Sequence, residues 1–153
     1  MQLRTYLAVI DDAPEARVAL RFAARRAAKT SGAILILALV PQAEFVQWGG
    51  VQAAMEEEEH LRVEAMVAEA AGALIEETGL QPEIMVRQGE PIAAVRDLLA
   101  ERPEIAALVL GAAPGNEPGP LVKRFGGLDA GQMPCPVMII PGSLTDEALD
   151  RLS

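Results

Sequence analysis

Short apolar runs alternate along the chain with longer stretches that repeat their apolar residues at helical spacing. This alternation predicts five strands separated by helices. The run Ala33–Val40 shows no polar positions at all, which is typical of a parallel strand covered on both faces. The predicted strands are Tyr6–Ile10, Ala33–Val40, Glu83–Arg87, Ile105–Leu110 and Val137–Ile140.

The helical stretches are bounded by glycine and proline, which are common helix punctuation. Gly32 is predicted to be the C′ residue of the first helix, and Gly79 ends the second. The predicted helices are Glu15–Lys29, Val51–Thr78, Pro91–Glu101 and one that starts near Pro120, followed by a polar tail, Leu144–Leu152, with one or two helical turns. The second helix carries a predicted apolar stripe of Met55, Leu61, Met66, Ala70, Leu74 and Ile75.

The order of strands and helices predicts an α/β fold with a right-handed, doubly wound parallel sheet. Sequence order alone leaves the spatial order of the strands open. If that order reverses beside the first strand, the carboxyl ends of strands one and four are adjacent. Asp11 and Gly111 would then face one crevice, which is where such sheets bind ligands.

The segment Ala107–Gly127 is rich in glycine and follows the fourth predicted strand. Glycine allows backbone N–H groups to approach an anion closely, so the segment is a candidate phosphate-binding loop. Its prolines, Pro114, Pro118 and Pro120, are equally typical of a plain connection between a strand and a helix. Both interpretations remain open at this point.

Composition narrows the function classes. The chain has 153 residues, which fits one domain, and a net charge of −9, which argues against a nucleic-acid partner. The single cysteine excludes an internal disulfide and favours a reducing cytoplasm. The N-terminus shows no signal-peptide pattern, and the longest apolar run is too short to span a bilayer, so we expect a cytoplasmic protein with no membrane partner.

Several motifs together resemble the universal stress protein family over nearly the whole chain. They are Leu7–Asp11, Ile34–Val40, Gly89–Pro91, Leu108–Gly111 and Pro134–Ile140. The resemblance implies a Rossmann-like, adenine nucleotide alpha hydrolase-like sheet of order 3-2-1-4-5 with helices on both faces. It also implies a domain over residues 1–143, a short tail over 144–153, and a cytoplasmic homodimer that pairs through the strand Val137–Ile140.

One branch of that family binds ATP, and its site can be carried over residue by residue. Asp11 would accept a hydrogen bond from the ribose or the adenine edge, and Leu39 would line the adenine pocket. The ribose and phosphates would be served by Gly111, Gly115, Gly126 and Gly127. Other roles remain open for the first two: Asp11 or its neighbour Asp12 as the N-cap of the first helix, and Leu39 as sheet packing.

The chain departs from the family's ATP-binding pattern in its glycine loop. Pro114 stands where the second glycine is expected, and Gly127 replaces a serine or threonine. A second register places Lys123 and Arg124 at that position instead. Loss of the hydroxyl removes one hydrogen bond to phosphate, worth about 1 kcal/mol or somewhat more.

The resemblance therefore predicts a regulatory module that binds ATP or another adenine nucleotide, with Mg²⁺ only as the nucleotide's companion. The alternative is a homodimeric interaction protein with an empty crevice. No catalytic residue is predicted, because no nucleophile and general base are paired in a motif. The residues that phosphorelay receivers, dinucleotide oxidoreductases and P-loop phosphotransferases require are missing from the matching positions.

Three other residues have conspicuous chemistry. Two of them are expected to be structural, and the role of the third is open. His60 shares a helical face with Glu56 and Glu64, and we expect a solvated face rather than a metal site, because the chain has one histidine. Cys135 lies between two prolines and is expected to pack. Trp48, in the loop after the second strand, is expected to cover a ligand, or else to pack on the long helix or at the dimer seam.

Overall fold

The computed structural model of the protein describes residues 4–41 and 49–153. Five strands form one sheet of order β3-β2-β1-β4-β5, in which every neighbouring pair is parallel. The predicted fold class and the strand order 3-2-1-4-5 are therefore confirmed. The strands are β1 (Thr5–Ile10), β2 (Ala33–Val40), β3 (Glu83–Gln88), β4 (Ile105–Ala112) and β5 (Val137–Pro141).

Within residues 4–41 and 49–153, five α-helices connect or follow these strands. The helix predicted near Pro120 is one turn long and passes directly into a π-helical turn, Arg124–Leu128, and then a short 3₁₀ turn, Ala130–Gln132. The helices are α1 (Pro14–Lys29), α2 (Gly49–Thr78), α3 (Pro91–Glu101), α4 (Pro120–Lys123) and α5 (Asp146–Leu152).

The sheet is buried on both faces. Because successive side chains on a strand point to opposite faces, β1 contributes Ala8 and Ile10 to one core and Leu7 and Val9 to the other. The first core is covered by α1 and α2, and the second by α3 and the segment that follows β4. This double cover explains why the central strands show continuous apolar runs rather than alternation.

Helix α2 buries less than its predicted stripe. Met55 and Leu61 are 43% and 59% exposed, and the buried positions begin at Val63 and continue with Val67. The helix has 30 residues and is about 45 Å long, whereas β2 spans about 26 Å with its 8 residues. Its first half therefore extends beyond the sheet, and the predicted stripe is wrong there.

The C-terminus of α1 also differs from the prediction. Ser31, not Gly32, occupies the left-handed position, with a φ of 55°. The N–H of Gly32 donates to the carbonyl of Ala27 at 2.7 Å, the six-to-one bond of a Schellman motif. Gly32 is needed for a different reason: a Cβ there would lie 2.7 Å from the carbonyl oxygen of Arg4.

The C-terminal segment packs onto the sheet domain as a helix. Leu149 of α5 is 2% exposed, and Arg21 of α1 joins Asp146 of α5 at 2.8 Å. The tail thus contains about two helical turns, as predicted, and the domain boundary at residue 143 stays a prediction. Within the described ranges, no helix is both long and apolar enough to cross a membrane.

Candidate functional site

A cleft opens at the carboxyl ends of the strands, where the strand order reverses. β1 lies between β2 and β4, so the loops after these strands diverge and leave a crevice. We distinguish a β4 pocket of about 90 Å³ from a β2 pocket of about 430 Å³. The two pockets share Asp11 and Pro91, and together they form one switch-point cleft.

Asp11 lies at the centre of this cleft, directly after β1. Its Oδ1 accepts a hydrogen bond from the backbone N–H of Ala13 at 2.9 Å. Burial raises the pKa of the Asp11 carboxyl, and the nearby charges of Glu15 and Asp12 raise it further. The predicted capping role is wrong for both aspartates, because the N-cap of α1 is Ala13 and no side chain caps it.

Asp12 instead connects the β1–α1 turn to α2. Arg62 donates two hydrogen bonds to the Asp12 carboxylate, from Nη1 to Oδ1 at 2.5 Å and from Nη2 to Oδ2 at 3.2 Å. Arg62 also pairs with Glu59 at 2.7 Å, and both partners raise the pKa of its guanidinium. The negative charge of Asp12 is therefore balanced by a bidentate partner.

Gly111 lines the β4 pocket, and its close contact with α1 explains why the position is glycine. A Cβ at this position would lie 2.1 Å from the carbonyl oxygen of Glu15. Gly142 meets the same residue from the end of β5, where a Cβ would lie 2.6 Å from the Cβ of Glu15. Because the two glycines lack a side chain, the first turn of α1 lies directly against the sheet. The backbone of Glu15 is therefore fixed at the wall of the cleft.

The loop after β4 is closed by a hydrogen bond from the N–H of Ala113 to the carbonyl of Pro118 at 3.0 Å. Gly115 lies within this loop with a φ of 103°, and Gly119 ends it with a φ of 110°. Gly115 is exposed and does not line either pocket, whereas Gly119 lines the β4 pocket.

Gly126 and Gly127, which the resemblance assigns to the ribose and phosphates, line neither of the two pockets. They belong to the π-helical turn, which directs the chain toward β5, and a Cβ on Gly126 would lie 2.6 Å from Cδ1 of Ile139. The residues that line the β4 pocket in their place are Gly119, Pro120, Leu121 and Val122. A sequence signal for this register exists, since proline at the first helical position marks Pro120 as the helix start.

The second register does not place its residues at the cleft either. Lys123 forms an ion pair with Glu117, and Arg124 pairs with Asp129 at 3.0 Å. Neither of the two basic residues lines the β4 or the β2 pocket.

The β2 pocket combines an apolar wall with a helix start. Leu39 is 7% exposed, so it packs in the core as predicted, and it also lines this pocket. Glu90 caps α3 by accepting hydrogen bonds from the N–H groups of Ile92 at 3.0 Å and Ala93 at 2.8 Å. These two bonds lower the pKa of the Glu90 carboxyl.

The remaining residues with conspicuous chemistry lie away from the cleft. His60 contacts Glu64 at 3.0 Å on α2, and residues 4–41 and 49–153 contain no group of three or more histidines, cysteines or carboxylates suited to a metal ion. Cys135 packs against the second core, and burial raises the pKa of its thiol. Trp48 lies outside the described residues.

Three solved structures share this fold over nearly their full length. The universal stress protein UspA from Lactobacillus plantarum has a TM-score of 0.75 and 19% identity, covering 92% of this chain and 99% of its own. A universal stress protein from Archaeoglobus fulgidus in complex with dAMP has a TM-score of 0.54 and 22% identity, covering 92% and 99%. A universal stress protein family protein from Arabidopsis thaliana with AMP bound has a TM-score of 0.55 and 16% identity, covering 94% of each chain.

Sequence comparison identifies the family directly. A search of curated protein sequences finds no significant match. The model of the universal stress protein family, however, matches residues 3–141, a span that includes all five strands and the switch-point cleft. The chain belongs to the universal stress protein family.

Proposed function

We propose that this protein is a cytoplasmic regulatory module that binds an adenine nucleotide in the switch-point cleft. The observation that carries this proposal is the continuity of the cleft across Asp11, from the apolar wall at Leu39 to the backbone at Gly119. An adenine nucleotide has the same sequence of parts: an apolar base, a ribose and a charged phosphate. The structural neighbours that hold AMP and dAMP support the same ligand class.

The shape of the cleft suggests one orientation of the ligand. The adenine would lie against Leu39 and Val40, and Asp11 would accept a hydrogen bond from a ribose hydroxyl. The phosphate would meet the first turn of α4, where the N–H groups of Leu121 and Val122 lack acceptors within the helix. We assign no catalytic residue. ATP fits the same orientation, with Mg²⁺ entering only as a companion of its phosphates.

The variant Asp11→Asn tests this assignment, because stability and binding should change in opposite directions. Asparagine keeps an Oδ1 for the N–H of Ala13 but removes a charge that burial and two acidic neighbours disfavour. With Oδ1 already engaged, a ribose hydroxyl would meet the amide Nδ2 in place of a charged oxygen. We expect a higher melting temperature at pH 7 and, by calorimetry, about tenfold weaker binding of adenosine, which carries the ribose but no phosphate charge.

The pH dependence of the stability gain follows from the sign of the shift. A carboxyl whose folded-state pKa is raised opposes folding only where it is ionised, so the gain of Asp11→Asn is present at pH 7 and disappears below the unfolded value of about 4. Glu76→Gln, which changes an exposed carboxylate on α2, serves as the control and should alter neither quantity. Unchanged adenosine affinity in Asp11→Asn would contradict the placement of the ribose.

We also propose that two copies of the chain pair through β5. This strand is an edge of the sheet, and its Ile139 is 42% exposed, so unpaired backbone groups and apolar surface lie together. The homodimer is compatible with both candidate functions. The alternative to nucleotide binding, an interaction module with an empty crevice, requires the same assembly.

Introducing a charge on β5 tests the dimer, and the same change on the opposite edge of the sheet is the control. Ile139→Lys on β5 should lower the mass in solution from that of a dimer to that of a monomer at micromolar concentration, measured by light scattering. Ile84→Lys is a matched control, because Ile84 is also 42% exposed and lies on β3, the opposite edge. A monomeric mass of the unaltered protein would exclude this assembly.

A further inference from the structure

The charged side chains that line the switch-point cleft are all acidic in the described part of the chain. They are Asp11 and Glu15 in the β4 pocket, and Asp11, Asp12 and Glu90 in the β2 pocket. An adenine nucleotide brings between one and four negative charges into this space. The cleft therefore opposes the part of the ligand that most nucleotide sites attract.

Two of these carboxylates are compensated by neighbouring groups. Asp12 is held by the guanidinium of Arg62 at 2.5 Å, and Glu90 accepts two backbone N–H groups at the start of α3. Asp11 has one backbone hydrogen bond, and Glu15 has no ion-pair partner within residues 4–41 and 49–153. The net negative potential is thus concentrated at Asp11 and Glu15, on the side where the phosphates would lie.

The backbone of Glu15 has no room to shift away from the β4 pocket. Its carbonyl oxygen is in close contact with Gly111, and its Cβ is in close contact with Gly142, so both neighbours lack the space for even a methyl group. Only rotation of the Glu15 side chain is available. The backbone of Glu15 is consequently fixed beside the β4 pocket, and its carboxylate is close enough to Asp11 to raise the pKa of that group.

Backbone donors that could offset this charge are scarce on the same side. Pro118 and Pro120 both line the β4 pocket and have no N–H group. The N–H of Ala113 is already donated to the carbonyl of Pro118. Among the pocket residues that follow β4, the N–H groups left for a phosphate are those of Gly119, Leu121 and Val122.

We propose that the cleft prefers adenine ligands of low negative charge, with adenosine and cyclic AMP bound more tightly than AMP, and AMP more tightly than ATP, in the absence of divalent cations. Glu15 is the residue that determines this preference. The inference rests on the proposed adenine site and specifies the ligand class of that site. At separations of several ångströms in a partly solvated cleft, each added unit of negative charge lowers affinity about tenfold.

Calorimetric titration of the intact protein with adenosine, cyclic AMP, AMP and ATP tests this preference. The titrations use EDTA and low salt, where charge effects are largest. We expect affinity to fall along that series and the differences to shrink when salt is raised. Addition of Mg²⁺ should increase ATP affinity, because the cation reduces the charge that meets Glu15.

The variant Glu15→Gln identifies the responsible residue. It removes the charge and keeps the shape, so AMP and ATP affinities should rise about tenfold or more, while adenosine affinity stays within about twofold. Glu76→Gln is the control, and thermal unfolding checks that each variant folds. Two results would overturn this preference while leaving the adenine site intact. The first is an ATP affinity in EDTA that equals or exceeds the adenosine affinity. The second is a change in affinity on Glu15→Gln that is the same for ATP and for adenosine. No binding of any of the four ligands would overturn the adenine site itself, and the preference with it.

Discussion

Replacing Gly111 with alanine is expected to destabilise the protein by about 3 kcal/mol or more, a loss of folding stability rather than of ligand contacts alone. The new Cβ would lie 2.1 Å from the carbonyl oxygen of Glu15 and 2.6 Å from its carbonyl carbon. Both atoms belong to the backbone of α1, so no side-chain rotation relieves the overlap. The helix would have to move away from β4, which would open the first core at the switch point.

Urea unfolding of Gly111→Ala, read by circular dichroism, measures this loss. Two other glycines provide controls, because a Cβ on Gly72 or on Gly127 would meet no heavy atom within 4 Å. Gly72→Ala lies inside α2 and should stabilise the protein by about 0.5–1 kcal/mol. Gly127→Ala should leave both stability and AMP affinity nearly unchanged. A Gly111→Ala protein with normal stability and lost AMP binding would assign Gly111 to the ligand instead of to packing.

These glycines show how far the sequence alone determines the site. The pattern of apolar runs predicts all five strands, and it is strongest for β1, β2 and β4, because these central strands face two cores. Whether Asp11 and Gly111 meet at one crevice depends on the strand order, which the apolar pattern leaves open and the family resemblance supplies. The reason for Gly111 is not visible in the sequence, since its contact with Glu15 joins residues that are far apart in the chain.

The register of the glycine loop could not be decided locally for a related reason. Gly119 and Gly126 each precede a residue at which a helical turn could begin. The structure separates them through tertiary contacts: Gly119, with a φ of 110°, opens toward the cleft, and Gly126 packs on Ile139 of β5. The same limit applies to Leu61, whose helical spacing fits a buried stripe although no strand lies beneath that part of α2.

The second large effect is a change in AMP affinity on substitution of Pro120, because the structure places the start of α4 at this residue. This residue occupies the first position of α4 and lines the β4 pocket, where proline offers neither an N–H nor a hydroxyl. Pro120→Ala restores the N–H, and Pro120→Ser adds a hydroxyl as well. Because a hydrogen bond to a charged group contributes about 1.5–3 kcal/mol, we expect AMP affinity to rise about tenfold with alanine and about a hundredfold with serine.

Calorimetry with AMP and adenosine measures both variants. Adenosine has no phosphate, so its affinity should remain within about twofold of the unaltered protein and serves as the internal control. Loss of the proline ring should lower folding stability by about 0.4–1 kcal/mol, because the unfolded chain gains freedom at that position. If neither variant changes AMP affinity, the phosphate does not lie at the start of α4. A drop in AMP affinity on Gly127→Ala would then place the phosphate at the π-helical turn, as the family resemblance implies.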